Sequence, residues 1–422
     1  MQGSEHHVER VCRESAERTQ RARLAIASLS GGERSALLRA MAPALLDAAP
    51  SILDANQRDM EAGNDLSAAL RDRLRLDASR IESMAEAVRM IAAQEDPVGR
   101  VVDGRVLPNG IRLEKRRVPL GVVLVIYESR PNVTSDAAAL CLKAGNAILL
   151  KGGREAAHSN RAIVEAMRPA LAEFGVEDSV VFVDTTERSA IPTLVTMRGM
   201  IDLVIPRGGG GLMKVVTEAA TIPVVKHDAG LCHLYIDEHL DGMKQAAIDI
   251  ALNAKTQRPG VCNAIETLLV HESVAEHVLP VITGGMRDAG VEVRGDERVR
   301  ELDPACSPVS DEDWDTEYLG LTLSVRVVPS LEEACAHIRA HGSQHTEAIV
   351  TSSIDAAQRF VARVDSASVM VNCSTRFADG GEYGLGAEIG ISTDKLHARG
   401  PMGAQDLTTF QWVLTGSGQV RG

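Results

Sequence analysis

Between residues 8 and 94 apolar side chains recur every three to four positions among Ala, Leu, Arg and Glu, as in RSALLRAMAPALLDAAPSILDANQRDM. This spacing predicts an amphipathic helical entry segment. The period then shortens. GRVVDGRVLPNGIRLEKRRVPLGVVLVIY holds short β-like runs broken by DG and PNG, which are turn signals, and predicts a β-hairpin near 101–117. Beyond it, apolar strand runs (GVVLVIY, NAILLKGG, SVVFVDT, IDLVIPRGG) alternate with helical stretches such as SDAAALCLKAG and SNRAIVEAMRPALAEFG. A second alternating series starts near CHLYIDEHLDGMKQAAIDIALNAKTQRPGVC and runs through ETLLVH, LSVRVVPSLEEACAHIRAHG, EAIVTSS and SVMVNCS. The fold class expected is α/β, with two doubly wound parallel sheets whose ligands bind beyond the carboxyl ends of the strands. A glycine-rich tail closes on TTFQWVLTG, a β-like run that either the hairpin or a neighbouring subunit could pair with.

At 422 residues, 45% of them apolar and 24% charged, the chain is long enough for two or three domains, each with a core. Fifty-eight acidic side chains against 45 basic ones give a net charge of -13, and aromatics are 3% of the chain. That leaves neither the basic footprint nor the stacking platforms of nucleic-acid binding and favours a small-molecule partner. The N-terminus carries charges throughout with no apolar h-region, and runs such as GVVLVIY are too short to span a bilayer, so a cytoplasmic protein without membrane contact is expected. Seven cysteines without CxxC pairs suggest neither a disulfide framework nor a zinc site.

Four features carry candidate chemistry. In DLVIPRGGGGLMKVVTEAA, Gly208 to Gly211 lie between a strand and a helix, where backbone amides can hold a phosphate or simply make a tight turn; neither GxGxxG nor GxxxxGK[ST] is matched. NAILLKGGREAAHSN ends a strand with Lys151 and then Arg154, two cations placed for an anionic ligand or for a solvated turn. Cys262 follows RPG in NAKTQRPGVCNAIE, so a Pro-Gly turn sets its thiol at a helix or strand start. Nearby amides or cations can make a thiolate there, and an inert buried thiol is the plain alternative. His337, His341 and His345 have i, i+4, i+8 spacing, but Gly342 interrupts the helix that would align them and no metal is expected.

VPLGVVLVIYESRPNVTSDAAALCLKAGNAILLKGGREAAHSN, NAKTQRPGVCNA, HGSQHTEAI and GAEIGISTDKLHARGPMG together give nearly the whole chain a specific likeness. It resembles the gamma-glutamyl phosphate reductase family of the aldehyde dehydrogenase superfamily. The resemblance implies NADPH-dependent reduction of L-glutamyl 5-phosphate to L-glutamate 5-semialdehyde, with phosphate released, in the second step of proline biosynthesis from glutamate. A hydrolytic aldehyde dehydrogenase, or a reductase of another acyl phosphate or acyl-CoA, is the alternative. Cys262 is then the nucleophile and Lys151 the contact to the adenosine ribose. Gly208, Gly209 and Gly210 are cofactor-binding and Glu317, in EYLGLTLSV, holds the nicotinamide ribose. Arg154 stands where NAD-preferring relatives often carry a glutamate, and an arginine there pairs with a 2'-phosphate, which favours NADP(H).

The resemblance leaves other positions open. Arg130, Asn132, Arg258 and Arg376 are candidates for the substrate carboxylate or phosphate. Asp228 lies at the spacing of the superfamily's general base but is one methylene shorter, which suits an enzyme that admits phosphate rather than water. The oxyanion asparagine has no clean counterpart: counting back without gaps gives Glu128, and Asn132 lies four residues on, so the backbone NH of Cys262 is the donor expected. Expected domains are 1–100 with 118–233 for NADP, 234–370 for catalysis, 101–117 with 396–422 for oligomerisation, and 371–395 as a return segment. A homo-oligomer and association with glutamate 5-kinase complete the expectations.

Overall fold

The computed structural model describes residues 2–226 and 229–421. The entry segment forms five helices: α1 (Gln2–Ser28), α2 (Gly31–Asp47), α3 (Ala49–Ala62), α4 (Ala68–Leu74) and α5 (Ala78–Ala93). Ser30 starts α2 with a capping box, its side chain accepting from the Glu33 amide while Glu33 accepts from the Ser30 amide. Leu37, Met41, Ile81 and Val88 on these helices share one core with Val123 and Leu149 of the sheet that follows. Burying each such side chain stabilises the fold by roughly 1.5–3 kcal/mol.

The hairpin is β1 (Val101–Val106) with β2 (Arg112–Pro119). Its turn lies at PNG, where Gly110 takes φ 83, a left-handed value that favours glycine. DG, read as a second turn signal, instead sits inside β1, because Asp103 and Gly104 are paired with Lys115 and Glu114 and the ladder overrides the local preference. Next come β3 (Val122–Tyr127), α6 (Asn132–Lys143), β4 (Ala147–Gly152), α7 (Ala157–Glu173), β5 (Val180–Phe182), α8 (Ala190–Leu194), β6 (Leu203–Arg207) and α9 (Gly210–Ala219). Their strands form a parallel sheet in the order β5-β4-β3-β6. Chain order reverses at β3, which opens a crevice at the carboxyl edge.

The second series is β7 (Cys232–Ile236), α10 (Lys244–Thr256), β8 (Ile265–His271), α11 (Glu272–Asp288), β9 (Glu292–Gly295), α12 (Glu297–Leu302), β10 (Ser307–Pro308), β11 (Thr322–Val328), α13 (Leu331–His341), β12 (Thr346–Val350), α14 (Ile354–Arg363) and β13 (Ser368–Val371). These strands make a seven-stranded sheet in the order β10-β9-β11-β8-β7-β12-β13, every pair parallel. Alternation along β7 shows why it is buried on both sides: Leu234 and Ile236 enter one core, Tyr235 the other.

The chain closes with β14 (Gly390–Ser392), β15 (Gly400–Met402) and β16 (Thr408–Thr415). Of the two partners left open for the tail, the hairpin is the one β16 takes in this chain: it runs antiparallel to β2. Lys115 Nζ lies 4.2 Å from the Phe410 ring centre and 5.5 Å from that of Trp412, while Val106, Trp412 and Leu414 remain exposed. No single helix among the described residues is long and apolar enough to cross a membrane.

Candidate active site

The ends of β3 and β4 and the loop after β5 border a cleft open to solvent, whose lining includes Lys151, Gly153, Arg154, Glu128, Arg188 and Leu212. Lys151, near the end of β4, is buried, and its Nζ donates to the Gly152 carbonyl at 2.9 Å. Burial pulls this ammonium below the usual lysine range. Arg154 is exposed on the turn after β4. The neighbouring Glu155 accepts from the amide and hydroxyl of Ser129, at 2.6 and 3.0 Å. Arg188, on the loop after β5, was not singled out from sequence because nothing around it is patterned.

At the glycine run, β6 passes into α9 through Gly208 and Gly209. A Cβ at Gly209, Gly210 or Gly211 would meet nothing within 4 Å, so this backbone is open to a ligand. One amide is already used: Gly209 NH donates to Glu128 Oε2 at 3.0 Å. Glu128, the gap-free count for an oxyanion donor, is therefore an acceptor at this turn. The cleft fits a dinucleotide phosphate: two exposed arginines, a buried lysine and a bare helix start converge on it.

Cys262 lies between the end of α10 and the start of β8, so the run after it is a strand. Both flanks of its loop are pinned. Lys255 Nζ meets Glu266 Oε2 at 2.5 Å with both groups almost fully buried, and Arg73 Nη2 of α4 donates to the Gly260 carbonyl at 2.9 Å. Asn263 Nδ2 donates to the Ala378 carbonyl at 3.0 Å. Gly230 packs so closely that a Cβ there would lie 2.1 Å from the Cys262 carbonyl oxygen. Its amide donates to Glu317 Oε1 at 2.8 Å, which brings Glu317 alongside the thiol loop.

The thiol itself is half-buried. Burial pushes it up to about 11; Arg207 pulls it down, Glu388 and Glu317 push it up, and Arg130 pulls it down. The carboxyl ends of β3 and β6 thus face the amino ends of β7 and β8 across Cys262. Burial lowers Arg130 to about 10, and Arg207, Arg73 and Arg258 add to that by repulsion. Arg258 is exposed, and Arg376 donates from Nε to Gln257 Oε1 at 2.8 Å. Asn132 is turned to its own helix, donating to Asp136 Oδ2 at 2.9 Å. Burial raises the Asp136 carboxyl to about 6. Asp228 lies outside the described residues.

Sequence reasoning passed over Arg207, Glu388, Asp136 and Arg73. The first two sit inside stretches quoted for other reasons, IPRGGGG for its glycines and GAEIGIS for its likeness. α13 ends at His341, one residue before Gly342; the rings of His337 and His341 lie 4.6 Å apart on it, while His345, beyond the helix, bonds Thr346 Oγ1 at 2.8 Å and Cys232 Sγ at 3.6 Å. His337 is buried, edge-on to Trp314 and His233.

A parallel sheet whose carboxyl edge faces a cysteine loop on a second parallel sheet is the arrangement of an aldehyde dehydrogenase-type oxidoreductase, and the family model described as the aldehyde dehydrogenase family matches residues 1–301. A gamma-glutamyl phosphate reductase of Thermobifida fusca is 52% identical over 98% of this chain and 99% of its own length. One of Nautilia profundicola is 51% identical over 94% and 96%. The crystal structure of the gamma-glutamyl phosphate reductase of Thermotoga maritima superposes with a TM-score of 0.94 at 44% identity, covering 97% of this chain and all of that one. The chain belongs to the gamma-glutamyl phosphate reductase family of aldehyde dehydrogenases.

Proposed function

We propose that the chain reduces L-glutamyl 5-phosphate to L-glutamate 5-semialdehyde with NADPH, releasing phosphate, in the cytoplasm and as the second step of proline biosynthesis from glutamate. The observation that carries this reading is the half-buried Cys262, set between arginines of one sheet edge and Glu317 of the other. Its thiol attacks the acyl carbon, the bond to the phosphate oxygen breaks, and a thioester remains on the protein. The cationic side chains support this step by stabilising both thiolate and leaving phosphate. When bound, the reduced nicotinamide supplies the hydride that takes the thioester to the aldehyde level.

Lys151 and the turn at Gly208, Gly209 and Gly210, open at its last two glycines, bind the cofactor, and Glu317 orients its ribose beside the thiol. Arg154 favours NADP(H) by pairing with the 2'-phosphate. Arg130, Asn132, Arg258 and Arg376 serve the substrate's anionic ends, Asn132 after release from Asp136. Residues 1–100 and 118–233 form the cofactor domain and 234–370 the catalytic one, with 371–395 returning between them. Residues 101–117 and 396–422 are the oligomerisation element, whose exposed Val106, Trp412 and Leu414 suit a second copy. Association with glutamate 5-kinase would shorten the free life of a labile acyl phosphate.

The test is NADP+ reduction with glutamate 5-semialdehyde, with and without inorganic phosphate, for the natural protein and for Cys262→Ala. The reading expects NADPH only with phosphate and only with the cysteine. Phosphate-independent turnover would instead make the protein a hydrolytic enzyme.

A further inference from the structure

Arg207 is the last residue of β6, immediately before the glycine turn, and its side chain is 12% exposed. Its nearest acidic partner is Glu388, 17% exposed, at 3.9 Å, too long for a hydrogen bond. Its buried Nε has no hydrogen-bond partner among the described residues. Arg130 lies in the same charge cluster beside the thiol, and the hydrogen bond formed at that residue is through its backbone carbonyl, to Val133 NH. Two largely shielded guanidiniums repel each other beside a nucleophile, one of them with an orphaned buried Nε and its carboxylate partner held at 3.9 Å, and this leaves room for an anion, because shielded charge is stable only when paired and hydrogen-bonded. Their planar forks match a tetrahedral oxyanion carrying two charges.

We infer that Arg207, with Arg130, is the seat of the phosphoryl group of the acyl phosphate, and that Glu388 holds Arg207 in place by charge. The inference rests on the function proposed above and deepens it. As the carbon–sulfur bond forms and the carbon–oxygen bond to phosphate breaks, the electron pair leaves on the phosphate oxygen facing Arg207. The thiol proton departs with it, as hydrogen phosphate. In the reverse direction the same seat admits inorganic phosphate to attack the thioester.

Steady-state kinetics in the oxidative direction test this with the full chain, varying phosphate, NADP+ and glutamate 5-semialdehyde in turn for the natural protein, Arg207→Gln and Arg207→Lys. The KM for phosphate should rise about 10- to 100-fold in Arg207→Gln, as for loss of a charge-assisted hydrogen bond, with the other two KM values within about twofold. Arg207→Lys should recover part of the loss. Independently of turnover, inorganic phosphate should slow iodoacetamide alkylation of Cys262 in the natural protein and not in Arg207→Gln, with matching melting curves showing that the variant is folded. A raised KM for the semialdehyde instead would assign Arg207 to the substrate carboxylate and overturn the inference, as would phosphate protection of the thiol that is equal in both proteins. If the natural protein turned over without phosphate, the proposed function would fail by itself, and the alkylation comparison would still decide whether Arg207 seats the anion.

Discussion

The two parallel sheets present opposite ends to the same gap. The first offers the carboxyl edge of β3, β4 and β6, where Arg130, Lys151, Arg207 and the start of α9 gather; the second offers the amino edge of β7 and β8, with Gly230 and Cys262. A carboxyl edge leads into helix starts, whose unpaired amides and positive dipole ends suit anions. An amino edge is reached from helix ends and has no such amides, so it contributes side chains instead: a thiol, and the Glu317 carboxylate. In the function proposed above, one sheet therefore supplies positive potential for phosphates and the other the group that forms the covalent bond.

Substitutions confined to one edge separate these contributions. Cys262→Ala has the largest expected effect, a loss of phosphate-dependent turnover of at least about a thousandfold with an unchanged melting temperature, measured by NADPH absorbance and calorimetry. Next is Lys255→Met, which strands Glu266 as a buried charge beneath the thiol loop; such a break costs about 3–5 kcal/mol and should lower the melting temperature. The double change Lys255→Met with Glu266→Leu should restore much of it. On the other edge, Arg154→Glu should lower kcat/KM for NADP+ by about 10- to 100-fold while leaving the phosphate KM and the melting temperature alone, as expected of an exposed side chain.

The smallest effect is continuous. With its thiol pushed up to about 11 by burial, Cys262 in the free protein is mostly protonated at neutral pH, and only the thiolate alkylates. The iodoacetamide rate should therefore rise about tenfold per pH unit from neutral pH and level off near the thiol's own value. A plateau reached already at neutral pH would mean that the two arginines outweigh burial. The stability sign follows from the same shift. A raised thiol favours the protonated folded state, so its contribution is complete below the unfolded value near 9 and is lost as pH climbs through about 11.

Most of the fold was legible because period survives in short windows: β7 and β8 are apolar runs, and α1 to α5 repeat at helical spacing. The DG inside β1 was misread because pairing with β2 outweighs a two-residue turn preference. The short β9 and β10 and the β14–β15 pair had too few residues to show a period. At the site, Lys151, Arg154, the glycines and Cys262 stand on recognisable strand ends and turns. Arg207 and Glu388 are far apart in sequence and meet only through tertiary packing, and Arg73 reaches Gly260 from a helix 187 residues away. Such meetings leave no spacing to read.

The most direct test of the central claim, that Cys262 carries a glutamyl thioester which only phosphate releases, is a burst measurement. The protein is mixed with glutamate 5-semialdehyde and NADP+ in phosphate-free buffer, NADPH is followed, and the intact protein is weighed before and after phosphate is added. The account predicts one NADPH per chain and a glutamyl adduct on Cys262, followed by loss of the adduct and steady turnover once phosphate arrives. Steady turnover before phosphate, or no adduct at all, would contradict it.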